Sequence, residues 1–144
     1  TDFQCALGSS QLKKLNQFIV YRRKVAAEYN KAFSNDLRFI IPKIEKENYH
    51  SFHLYPLLIN FDKLNVSKNT LFKRMLKYKI RLQNHYLPIY RHTYYKKKFN
   101  FFLKNFPISE FFFKRQVSLP IFYKIKKKEV SKVIKIIKKI CKLK

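Results

Sequence analysis

His85 and Tyr86 stand side by side just before Pro88, with Tyr90 just after it, and the stretch Arg81–Tyr95 around them holds two histidines and four tyrosines. An imidazole and a phenol can each donate or accept a hydrogen bond, so these side chains suit recognition of a sugar or a phosphate. Proline lacks an N–H and biases its predecessor toward extended backbone, so Pro88 should end a strand that delivers His85 and Tyr86 to its tip. Side chains at a strand end and in the following loop can reach a ligand while a scaffold holds the backbone. Against this, a single histidine on a strand is commonly a structural residue satisfied by its neighbours. Bond-breaking chemistry has less support: with one glycine in the chain there is no glycine-rich phosphate loop, and neither a nucleophile elbow nor paired carboxylates occur.

The other reactive side chains read as structural. His50 and His53 are three residues apart; on a strand that spacing puts them on opposite faces, which excludes a metal pair. His53 alternates with Tyr55, Leu57 and Ile59 and should point into a core. Cys5 and Cys141 lack CxxC spacing and read as two buried small hydrophobes, with no metal site or disulfide framework. Tyr94, Tyr95 and the phenylalanine clusters could stack on bases, but no RNP or OB pattern accompanies them, so packing is the better account.

A net charge of +25 would fit nucleic acid or an anionic surface. The excess is mainly lysine spread along the whole chain, together with abundant Asn, Ile, Phe and Tyr. A/T-rich codons produce that composition, and the simplest reading is a solvated lysine surface. A basic nucleic-acid-binding module remains the alternative. No apolar run of about 18 residues is present to span a bilayer and no basic-then-apolar leader opens the chain, so a cytoplasmic protein without membrane attachment is expected.

The elements that must position the His85 stretch follow from periodicity. Phe3, Leu7, Leu12, Leu15, Phe18 and Ile19 predict a helix, with Thr1 or Asp2 as N-cap and a break at Gly8-Ser9-Ser10, where glycine costs about 1 kcal/mol. A second helix over 16–32 turns Val25, Ala26, Tyr29 and Phe33 inward and closes at Ser34-Asn35-Asp36. Leu37–Ile44 contains a short strand. The run 52–60 predicts a strand apolar on both faces and therefore covered on both. Ser67 caps a helix with Leu71, Phe72, Met75 and Leu76 inward and Lys68, Lys73 and Lys77 outward. A strand from Ile80 to Tyr86 pairs with 52–60, a short helix spans 110–116, and a terminal helix over 127–142 turns Val130, Val133, Ile134, Ile137 and Cys141 inward. These elements make an α+β layer, a few antiparallel strands backed by helices.

Five segments carry a family resemblance in the order of the chain. Thr1-Asp2-Phe3-Gln4-Cys5-Ala6-Leu7-Gly8, with Gln11-Leu12, Arg22-Arg23, Ala26 and Tyr29, resembles the opening motif of the C-terminal part of the DegT/DnrJ/StrS sugar aminotransferases. Ser51–Pro56, Ile80–Pro88, Phe106-Pro107 with Glu110, and Ser118–Phe122 resemble its S-x-H-L-(Y/F)-P, G-I-x-x-x-x-H-Y-x-P, F-P-x-(A/S)-E and S-L-P-x-(F/Y) segments. The wording lies nearest the branch serving pseudaminic acid synthesis. Departures fall at Ser9, Lys79 and Asn84.

The resemblance implies the small C-terminal domain of a fold-type I pyridoxal phosphate enzyme across 1–144, with 1–34 as connecting helices and the large cofactor-binding domain missing. It implies amino transfer from glutamate to a UDP-linked 4-keto-6-deoxy sugar, pyridoxal 5'-phosphate bound by that upstream domain, a homodimer, and no catalytic residue within this stretch. His85, Tyr86 and Tyr90 would then face the sugar nucleotide.

Overall fold

The computed structural model describes residues 1–99 and 101–144. In chain order it contains helix α1 (Asp2–Leu12), helix α2 (Leu15–Phe33), strand β1 (Phe39–Ile40), strand β2 (Tyr55–Ile59), helix α3 (Lys68–Lys77), helix α4 (Thr93–Phe99), helix α5 (Pro107–Arg115), strand β3 (Gln116–Leu119) and helix α6 (Lys127–Ile140). The strands form one antiparallel sheet in the order β1-β2-β3. This is the α+β arrangement expected from the sequence.

Alternation along β2 decides which side of the sheet is the core. Tyr55, Leu57 and Ile59 are fully buried and pair across to Leu119, Val117 and Phe39. Those residues join one cluster with Val25, Tyr29 and Phe33 of α2, Leu71 and Met75 of α3, and Val130, Val133 and Ile137 of α6. Such burial is worth about 1.5–3 kcal/mol per large apolar side chain. The buried phenols still find acceptors: Tyr29 donates to the Pro120 carbonyl at 2.8 Å and Tyr55 to Asn30 Oδ1 at 2.6 Å. Arg38, ion-paired with Asp36, donates to the Cys141 carbonyl at 2.5 Å and so closes the end of α6.

Several expectations need correction. Helix α1 runs through Gly8-Ser9-Ser10, and the interruption falls at Lys13-Lys14. Nothing lies within 4 Å of a Cβ placed on Gly8, and Gln4 Oε1 secures the start of the helix by accepting from the Thr1 hydroxyl at 3.1 Å. None of its residues is buried: Phe3 and Leu12 keep 80% and 68% of their surface, and Cys5 is exposed. Cys141 is buried as expected, and burial pushes its thiol up to about 12.

The 52–60 strand begins only at Tyr55. Phe52 takes φ 49° and turns into the core, which leaves His53 exposed at a bend. Leu76 is exposed rather than inward. The segment 80–86 forms no regular strand and does not pair with β2; Gln83 alone bridges to Ser118 of β3. Ser67 caps α3 as predicted, accepting from Thr70 N–H.

Candidate functional site

The second face of the sheet is polar where the first is apolar. Gln116 and Ser118, two residues apart on β3, share a face with Leu58 and Pro56 of β2, opposite Val117 and Leu119. Both are buried, Gln116 at 1% and Ser118 at 4% exposure, and a buried polar group requires partners. The His85 segment supplies them. Gln83 and Ser118 exchange backbone hydrogen bonds at 2.8 and 3.3 Å. One step along, where His85 would meet Gln116 in the same register, the Gln116 side chain replaces the ladder: its Oε1 accepts from His85 N–H at 3.2 Å. Gln116 Nε2 donates to Ser118 Oγ at 2.6 Å, and Ser118 Oγ lies 2.8 Å from His85 Nδ1.

His85 is therefore fastened through its backbone and one ring nitrogen, while the residue as a whole is only half-buried. Tyr86 follows across a cis peptide and is 74% exposed, its ring meeting the His85 ring edge-on at 4.7 Å. Tyr90 is placed differently. It is buried, stacked on Phe106 at 4.2 Å, and its hydroxyl donates to Glu110 Oε1 at 3.0 Å.

Glu110 at the start of α5 anchors this loop. Arg91 grips it with Nε on Oε1 at 2.7 Å and Nη2 on Oε2 at 2.5 Å, a two-pronged pair of the strong kind. The Arg91 hydrogen bond, helped by Tyr90, holds the Glu110 carboxyl below its usual range against the opposing effect of burial. Burial first and Glu110 second raise the Tyr90 phenol.

Lys68, expected to point outward, instead ties three elements together. Its Nζ donates to Asn84 Oδ1 at 2.9 Å and to the Phe113 carbonyl at 2.6 Å. Burial lowers its pKa to about 8. Asn84, which the sequence reading set apart from the motif it resembles, gives this lysine one of its two acceptors. The remaining histidines lie elsewhere: His50 Nδ1 accepts from Phe52 N–H at 3.0 Å, and His92 is exposed. Among the described residues no group of three or more His, Cys, Asp or Glu is placed to hold a metal ion.

Sequence reasoning brought out His85 and Tyr86 but missed the Gln116–Ser118 relay and the Lys68 tie. Two polar residues spaced i, i+2 in a strand otherwise apolar were the available signal for the relay.

Residues 1–138 match the DegT/DnrJ/EryC1/StrS aminotransferase family. The chain belongs to that family. It is 31% identical over 142 residues to the spore coat polysaccharide biosynthesis protein SpsC of Bacillus subtilis, covering 98% of this chain and 36% of SpsC. It is 36% identical over 121 residues to the UDP-4-amino-4,6-dideoxy-N-acetyl-beta-L-altrosamine transaminase of Campylobacter jejuni, covering 83% of this chain and 31% of that protein. Among solved structures, Helicobacter pylori PseC, an aminotransferase of pseudaminic acid biosynthesis, superposes with a TM-score of 0.85 at 29% identity over 96% of this chain and 36% of PseC. The PMP form of a candidate sugar aminotransferase from Streptococcus pneumoniae gives 0.87 at 26% identity over 97% of this chain and 35% of its own. The chain thus spans about a third of the length of the relatives it matches.

The family uses pyridoxal phosphate, and the polar groups gathered around His85 do not by themselves compose a site for it. Such a site needs an unengaged lysine, a free carboxylate and a phosphate cradle. Lys68 Nζ is taken by two acceptors and Glu110 by Arg91 and Tyr90. The one glycine lies on bare α1.

Proposed function

We propose that this chain is the C-terminal portion of a pyridoxal phosphate-dependent nucleotide-sugar aminotransferase, residues 1–144 forming its small domain with α1 and α2 as the connecting helices. The reading is supported by the family match over residues 1–138 together with a half-buried histidine held by its backbone N–H and its Nδ1. The donor is glutamate and the acceptor a UDP-linked 4-keto-6-deoxy sugar, in pseudaminic acid or surface-polysaccharide synthesis in the cytoplasm. The cofactor, carried outside these residues, supplies an electron sink when bound. His85 and Tyr86 face the sugar nucleotide. Tyr90 belongs to the same site through the loop it holds: its hydroxyl on Glu110 keeps 85–91 in place. The bare apolar residues of α1, Phe3, Leu7 and Leu12, are the surface for the large domain and a second subunit, because an apolar patch of this kind calls for a partner.

The test is to join this chain to the remaining part of the Campylobacter jejuni relative in place of its matching segment. The joined enzyme is expected to bind pyridoxal phosphate and to transfer the amino group of glutamate to the UDP-linked keto sugar. A folded, cofactor-loaded hybrid without transfer to any UDP-linked keto sugar contradicts the reading.

A further inference from the structure

The relay behind His85 fixes which of its nitrogens carries the proton, and the assignment follows by elimination. Of the two atoms of the Gln116 amide only the oxygen can accept from a backbone N–H, so Gln116 turns Oε1 toward His85 N–H, at 3.2 Å. Its amide nitrogen must then face Ser118 Oγ, at 2.6 Å, and donate to it. The Ser118 hydroxyl has a single proton left to place, and the remaining neighbour of that oxygen among the described residues is His85 Nδ1, at 2.8 Å. With Ser118 only 4% exposed, water does not offer an alternative acceptor. Were Nδ1 to carry the proton, Oγ would face two donors and its own proton would have nowhere to go, which buried hydroxyls avoid.

We propose that Gln116 and Ser118 are positioning residues that hold neutral His85 in its Nε2–H tautomer, so that the ring meets its ligand as a hydrogen-bond donor and selects an acceptor oxygen there. The backbone supports the same end. The Gln83–Ser118 bridge and the Gln116 contact to His85 N–H clamp the segment at two successive points, so the ring is fixed in place as well as in tautomer. Tautomer control by the hydrogen bond at the second nitrogen is general for functional histidines. The ligand half of the proposal rests on the reading under Proposed function; the tautomer half does not.

Imidazole nitrogen shifts of the 144-residue chain, measured with the rings labelled and above the titration range of histidine, separate the two halves. For His85 the expected result is a protonated Nε2 and an unprotonated Nδ1. Ser118→Ala and Gln116→Met should each lose this preference and give averaged shifts, whereas Ser118→Thr, which keeps the hydroxyl, should restore it. An averaged pair or a protonated Nδ1 in the wild type overturns the relay, as does an unchanged tautomer in both Ser118→Ala and Gln116→Met. UDP is then titrated in, with pyrophosphate and uridine as separate arms. A downfield move of the Nε2 proton in the pyrophosphate arm assigns the acceptor to the diphosphate, and a move with uridine alone assigns it to the nucleoside. A fixed tautomer whose Nε2–H responds to none of the three sinks the ligand half and, with it, the placing of His85 at the sugar nucleotide.

Discussion

On one face of the sheet Tyr55, Leu57, Ile59, Val117 and Leu119 lie within 3% of full burial against the main helices, and on the other Gln116 and Ser118 are nearly as buried but spend their polar atoms on His85 and on each other. The same strand β3 serves both faces, because alternation sends each successive side chain to the opposite side. Stability and positioning are thereby separated over a single residue step. The apolar face holds the fold through area, and the polar face holds a loop through direction. Each can be damaged with little harm to the other, and the predictions below exploit that.

The largest effect belongs to the apolar face. Leu57→Ala removes a fully buried side chain and should cost about 2–5 kcal/mol, the range for truncation in a packed core. Urea denaturation of the wild type and variant measures it; a loss below 1 kcal/mol would mean that this face is not where stability resides.

A smaller loss is expected at the loop anchor. Glu110→Gln leaves Arg91 facing a neutral partner and should cost about 2 kcal/mol, less than a fully buried pair because Arg91 keeps some solvent. The effect depends on pH in a stated direction. The folded carboxyl lies below its ordinary value, so its contribution is complete above the unfolded value and is lost as pH falls through the folded one. The difference between wild type and Glu110→Gln, followed by denaturation midpoint, should shrink in acid. A constant difference across the carboxylate range would show that Arg91 does not set the titration.

Lys68 should show an effect of the same sense, displaced to alkaline pH. Burial brings its folded value to about 8, below that of the unfolded chain, so between the two the unfolded state binds more protons and stability rises with pH. Relative to Lys68→Met, the wild type should gain stability as pH climbs from about 8 toward the ordinary lysine value. Parallel pH profiles for the two proteins would contradict this account of Lys68.

The apolar face was legible in the sequence because it is periodic. Val25, Tyr29 and Phe33 repeat on α2, Val130, Val133 and Ile137 on α6, and Tyr55, Leu57 and Ile59 alternate on β2, all found buried. The register failed where a single backbone angle intervened: Phe52 at positive φ turned inward and left His53 outside, which no periodicity encodes. The segment 80–86 carried strand-like residues, yet it gains its place from one bridge and two side chains of β3, partners more than 30 residues distant that local pattern cannot name. Lys68 was misjudged for the same reason, since its acceptors come from Asn84 and Phe113. Helix α1 illustrates the converse. Its residues form a helix as the pattern asked, though without the break expected at Gly8, and none of them is buried among the described residues.

The account turns on His85 meeting the sugar nucleotide, and the most direct measurement is kcat/KM of His85→Ala in the hybrid enzyme described above, read beside His50→Ala and their denaturation midpoints. Loss of one hydrogen bond to a charged ligand is worth about 1.5–3 kcal/mol, so His85→Ala should lower efficiency roughly ten- to hundredfold in the enzyme that stays folded, while its midpoint falls because the Ser118 hydroxyl loses its acceptor. His50→Ala, whose ring among the described residues accepts from the Phe52 N–H and packs on the Phe52 ring at 4.6 Å, should leave efficiency intact. Full efficiency in a folded His85→Ala enzyme, with loss in His50→Ala, would put the ligand at the opposite end of the sheet and contradict the account.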